Sequence, residues 1–144
     1  MMKPVVQRHS PSWHGTFLLL VSLQALHSME EYAGRLWEVF PPAVWLCNLV
    51  SSNAHTGFLI INVGLFVLGM LIWILLSQGL LVPFAGRVVW FWIAIEIMNG
   101  IGHPVWSMMQ GGYTPGVLTA PFLGIVAFIL LKQILGRANK QSAA

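Results

Sequence analysis

An all-α membrane protein, a bundle of about four transmembrane helices, is the fold class this sequence predicts. Three observations carry the prediction. Hydrophobic residues fill 57% of the 144 positions and charged residues only 8%, with no aspartate, whereas an ordinary soluble domain carries about 25% charged residues. So few charges could not cover a surface in water, and lipid is the solvent that makes sense of the composition. The apolar residues also gather into stretches close to the roughly 20 residues that a bilayer helix requires. Finally, the basic residues lie mostly near the ends of those stretches, as topology signals do, and not in one patch of the kind that binds nucleic acid. At this length the chain is a single membrane domain, 1–144.

The first span, about 13–32, follows Lys3 and Arg8. Its apolar run is short and has to continue through His27-Ser28-Met29-Glu30-Glu31-Tyr32 to reach across. The residues after the run show no Ala-x-Ala pattern, so the segment reads as a retained helix and not as a cleaved signal peptide. The stretch from Leu36 to Leu49 is apolar but broken by Pro41-Pro42, which fits a short interfacial or re-entrant segment with Trp37 and Trp45 as headgroup anchors. Ser51-Ser52-Asn53 supplies capping residues for the second span, about 56–78. The third, about 84–103, has Arg87 at its start and Glu96 and Asn99 within it. The fourth, about 117–136, has Pro121 early and Lys132 late, where the long side chain can snorkel to the headgroups. Residues 137–144 read as a flexible tail. Gly64 with Gly69, or Gly100 with Gly102, could permit close helix packing.

Four spans place Lys3, Arg8, Arg87, Lys132, Arg137 and Lys140 on one side and Arg35 alone on the other. That bias puts both termini in the cytoplasm, with the cell membrane as the expected location. Every unusual polar group then falls in the opposite, outer half of the bundle. His27, Glu30 and Glu31, three and four residues apart, share one helix face; Glu96, Asn99 and His103 form a stripe; His55 and Asn62 offer another. An ionisable residue at the centre of a membrane helix costs about 2.5–3.5 kcal/mol and by default marks a functional site. Histidine and glutamate on facing helices are ligands for zinc or iron.

His27, Glu30, Glu96 and His103 are therefore the expected metal ligands, with Glu31 and Glu96 as catalytic carboxylates. His55, Asn62, Asn99 and Tyr113 stand around them as supporting or substrate-contacting groups. A metal-dependent hydrolase or oxidase acting on a lipid or other apolar substrate is the leading expectation. Proton-coupled transport or ligand binding by the same cluster, and a non-catalytic scaffold whose histidines merely tie helices together, are the alternatives. Cys47, the only cysteine, reads as a packing residue, and His9 and His14 have no assigned role. No Gly-x-Ser-x-Gly elbow, phosphate-binding glycine loop or His-Glu-x-x-His helix is present.

His27-Ser28-Met29-Glu30-Glu31 resembles the signature of the HXXEE-domain family of small integral membrane proteins. Asn99-Gly100-Ile101-Gly102-His103 and Tyr113-Thr114-Pro115-Gly116 are similar to what those proteins carry in matching places, so the resemblance runs over about residues 14–131. It implies a multi-pass membrane protein and brings no activity with it.

Overall fold

A computed structural model of the protein describes residues 12–142, so Lys3, Arg8 and His9 lie outside the described residues. The described chain contains six helices and no strand. They are α1 (Ser12–Ala33), α2 (Leu36–Val39), α3 (Pro41–Val50), α4 (Ala54–Ser77), α5 (Val82–Gln110) and α6 (Ala120–Ser142). Three of these are long and apolar enough to cross a membrane: α4, α5 and the Ala120–Asn139 part of α6. At 22 residues α1 is long enough to span, but it is not one of the three; His14, Gln24, His27, Glu30 and Glu31 dilute its apolar run.

Local chemistry sets most helix ends. Asn53 caps α4, its side chain accepting the Thr56 N–H at 3.1 Å. Pro41 and Pro42 open α3, where a missing N–H costs nothing. Gly111, with φ +69°, closes α5 in the left-handed conformation that glycine adopts without strain. α5 runs to Gln110, seven residues past the expected end of the third span, and carries Pro104 within it. α6 continues to Ser142, through the segment that reads as a tail in the sequence.

The long helices close into a ring in which α6 packs on α5 and α1, and α4 packs on α1 and α5. Phe17, Leu20, Val21, Ile72, Trp92, Ile93, Leu123 and Leu130 are among the residues that fill the centre of one half. Glycine decides how closely α5 and α6 approach: a Cβ on Gly100 would lie 2.6 Å from the Gly124 Cα. A Cβ on Gly69 would likewise meet Val21 and Trp92, whereas Gly64 and Gly102 have nothing within 4 Å. Large apolar side chains such as Ile60, Val63, Phe91, Met98, Phe122 and Ile125 project outward from the ring, a surface suited to lipid.

The other half is closed by α2 and α3, which fold back over α4. Leu36, Trp37, Cys47 and Phe58 form a second small core there. Trp37 is buried inside it, so only Trp45, which is exposed, is free to act as a headgroup anchor. Burial pushes the Cys47 thiol up from its ordinary range and the charge of Glu31 adds to the effect, consistent with a packing role. The polar residues collect between the two cores.

Candidate metal centre

The C-terminal end of α1, the C-terminal part of α5 and the start of α6 meet at one level. There the structure brings together His27, Glu31 and His103, all buried, with one potential ligand atom from each lying within 4.8 Å of the others. His27 Nε2 and His103 Nε2 each stand 3.3 Å from the same Glu31 oxygen, Oε1. The imidazole rings meet edge to face at a centroid distance of 4.8 Å.

The opposite edges of the two rings determine what faces Glu31. His103 Nδ1 lies 2.8 Å from the Pro115 carbonyl oxygen, which can only accept, so this nitrogen carries the proton and donates. His27 Nδ1 lies 2.8 Å from Thr119 Oγ1. The Thr119 hydroxyl has a single proton, and it donates that proton to Glu30 Oε2 at 2.6 Å; it therefore accepts from His27. When the rings are neutral, each Nε2 has a lone pair aimed at the same carboxylate oxygen. His27 Nε2 is fully buried and has no hydrogen-bond partner. Three acceptors converging in a buried space require a proton or a cation between them.

Two of the separations match those between the ligands of a cation. Ligand atoms about 2.0–2.1 Å from a tetrahedral zinc ion lie about 3.3–3.4 Å apart, which is the separation that Glu31 Oε1 keeps from each imidazole nitrogen. Metal-bound histidines commonly donate their other N–H to a carbonyl or to a carboxylate-linked group, as both rings do here. His27, Glu31 and His103 could therefore hold a metal ion.

The remaining sequence-derived site residues are placed differently. Glu30 does not face the imidazoles. Its carboxylate accepts from Tyr113 Oη at 3.1 Å, Leu118 N at 3.0 Å, Thr119 N at 2.9 Å and Thr119 Oγ1 at 2.6 Å. It thus takes up the N–H groups of the two residues just ahead of α6, near the end of the helix where negative charge is favoured. Desolvation, together with Glu30 beside it, holds the Tyr113 phenol above its ordinary range, so the phenol remains a donor. Glu96 is also outside the group. Seven residues separate it from His103, about 10 Å along a helix, and amides fill its coordination. Asn99 Nδ2 donates to Oε2 at 3.1 Å, and the Gln24 amide, oriented with its nitrogen toward Glu96, donates to both oxygens at 2.9 Å. Asn62 accepts from Ser28 Oγ at 2.6 Å and donates to the Phe58 carbonyl, joining α1 to α4. His55 Nε2 lies 3.1 Å from Tyr32 Oη, among the rings of Tyr32 and Trp37.

Three contributors escape a reading of the sequence. Thr119 couples Glu30 to His27, and Pro115 orients His103 through its backbone. Gly116, with φ +90°, lies against both imidazoles; a Cβ there would stand 2.6 Å from His103 Cε1 and 2.8 Å from His27 Cε1. Pro115 and Gly116 belong to the Tyr113-Thr114-Pro115-Gly116 stretch that carries the family resemblance, but Thr-Pro-Gly is a turn signal in any sequence and does not by itself mark a wall of a buried site.

A family model described as "Protein of unknown function with HXXEE motif" matches residues 18–131. The match takes in most of the chain, and the chain belongs to this family. No curated protein and no solved structure matches it.

Proposed function

We propose that this member of the HXXEE family is a four-span membrane protein holding a zinc-class divalent metal on His27 Nε2, His103 Nε2 and a Glu31 oxygen. The centre is proposed to be hydrolytic, acting on an ester or amide of a lipid or other apolar substrate. In this reading α1 is the fourth span beside α4, α5 and α6, its polar residues turned inward toward their partners. Both termini face the cytoplasm of a cell membrane, because Arg87, Lys132 and Arg137 belong to the end opposite the site and Arg35 to the end that carries it.

The observation that carries the proposal is a pair of buried imidazoles, each held through Nδ1, whose Nε2 atoms both stand 3.3 Å from one Glu31 oxygen. Two histidines and one glutamate with a further position open is a ligand pattern of catalytic zinc and equally of non-haem iron(II), whereas structural zinc takes four protein ligands. A divalent metal there supplies Lewis acidity, polarising a carbonyl or a water molecule. The chain's residues do the rest. Thr119 and Pro115 hold the two rings in one tautomer, and Glu30 anchors the start of α6 so that Thr119 stays in place. Phe40 and Trp106, their rings tilted against each other at 4.5 Å between centroids and both near the His103 ring, give the site an apolar wall.

The test is the metal content of the detergent-purified chain by plasma mass spectrometry, for the parent and for His27→Ala, Glu31→Gln and His103→Ala. One equivalent of metal in the parent, absent from variants that keep their helical circular dichroism, supports the centre. Lipid esters and amides are then the substrates to assay, with Glu31→Gln as the inactive control. No metal in the parent after reconstitution with zinc, iron and manganese sinks the reading. The three acceptors would then share a proton, and pH-dependent flux in vesicles becomes the measurement of choice.

A further inference from the structure

A second site lies on the other side of α1, away from the imidazoles. Between α1 and α4 runs an open apolar cavity of about 490 Å³, lined along α4 by Phe58, Val63 and Phe66 and along α1 by Ser28 and Tyr32. Its polar groups are paired off, Ser28 donating to Asn62 at 2.6 Å and the Tyr32 hydroxyl lying 3.1 Å from His55 Nε2, and so present little polarity to an occupant. Phe58 to Phe66 is eight residues, about 12 Å of helix, close to the roughly 15 Å that one leaflet contributes to a hydrocarbon core about 30 Å thick.

At Tyr32 this groove meets a second cavity of about 410 Å³ with a different character, lined by Tyr32, Arg35, Trp37, Glu38 and His55. Here opposite charges stand side by side and largely exposed. Arg35 Nη1 is 3.7 Å from Glu38 Oε1, a loose contact that leaves most of the guanidinium's donors and the carboxylate's acceptor sites free. His55 adds a ring nitrogen that shares the Tyr32 hydroxyl. Arg35 also sits at φ +53°, a left-handed backbone that glycine would take without strain and arginine does not. The side chain is thus held at this corner against a backbone preference.

An apolar channel one leaflet deep, ending in a pocket with one cation and one anion, has the shape and charge of a single phospholipid. We infer that this surface binds a phospholipid whose headgroup carries both a phosphate and a primary ammonium, the chemistry of phosphatidylethanolamine. One acyl chain lies between α1 and α4, the phosphate accepts from Arg35 and His55, and the ammonium donates to Glu38. A choline headgroup has the same net charge but no N–H to give, and a glycerol headgroup has no cation. The inference rests on the membrane placement proposed above but not on the metal.

Native mass spectrometry of the full chain in detergent, titrated with palmitoyl-oleoyl phosphatidylethanolamine, phosphatidylcholine and phosphatidylglycerol, tests it. One ethanolamine lipid should bind about tenfold more tightly than either of the others, the worth of one charge-assisted hydrogen bond. Glu38→Gln should erase that preference, and Val63→Trp, filling the groove from an exposed position, should remove the bound lipid. Equal binding of the three lipids in the parent overturns the inference, as does a preference that survives Glu38→Gln or lipid retained in Val63→Trp. Resistance of the chain to alkaline extraction from membranes reads the membrane placement separately. Metal content should be the same in parent and both variants, which separates a failure here from a failure of the metal centre.

Discussion

Replacing Thr119 with valine isolates the arrangement that leaves the His27 Nε2 lone pair facing Glu31. Valine is close in size, but it removes the oxygen that stands 2.8 Å from His27 Nδ1 and 2.6 Å from Glu30 Oε2. Glu30 keeps the Leu118 and Thr119 backbone N–H groups and the Tyr113 hydroxyl, so the start of α6 remains anchored. The lost bonds are one neutral, about 0.5–1.5 kcal/mol, and one charge-assisted, about 1.5–3 kcal/mol. Groups that orient a metal-bound histidine are typically worth 10–100-fold in affinity, about 1.4–2.7 kcal/mol. Zinc affinity of Thr119→Val, measured by chelator competition on the purified chain, is therefore expected to fall at least about tenfold. Thr119→Ser, which keeps the hydroxyl and loses only a methyl group, should stay within about threefold of the parent, about 0.7 kcal/mol. A folded valine variant with the parent's affinity would refute the tautomer argument, because His27 would then present its lone pair without help.

Other variants address the packing around the centre. Gly116→Ala combines a positive φ with a Cβ 2.6 Å from one imidazole and 2.8 Å from the other, so it should cost about 1–3 kcal/mol and lower both thermal midpoint and metal content. Gly100→Ala presses a methyl group to 2.6 Å from the Gly124 Cα, and about 1–3 kcal/mol of overpacking is expected. Gly102→Ala, with nothing within 4 Å, should change the thermal midpoint little or raise it slightly; equal losses in the two variants would refute the close α5–α6 contact. Asn62→Leu removes the Ser28–Asn62 bond between α1 and α4. Such bonds in membrane helices average about 0.6 kcal/mol, so a small loss of stability with unchanged metal content is expected.

What the sequence determined by itself is the helical, apolar character of the chain and the end of the bundle where its polar residues gather. Both follow from composition and from spacing along single helices, which are local quantities. The break at Pro41-Pro42 and the Asn53 cap were legible in this way. Which carboxylate faces the imidazoles was not. Glu30 and Glu31 lie about 60° to one side and about 40° to the other of His27 around a helix, so spacing admits both equally. Only the neighbours separate them: the turn ahead of α6 presents N–H donors to Glu30, while α5 presents His103 to Glu31. The same holds for Glu96, which shares a stripe with His103 but stands about two turns away and meets Gln24 from α1 instead. Thr119, Pro115 and Gly116 enter the site because a turn between two helices is folded over the ends of a third, a juxtaposition that no periodicity within one helix encodes.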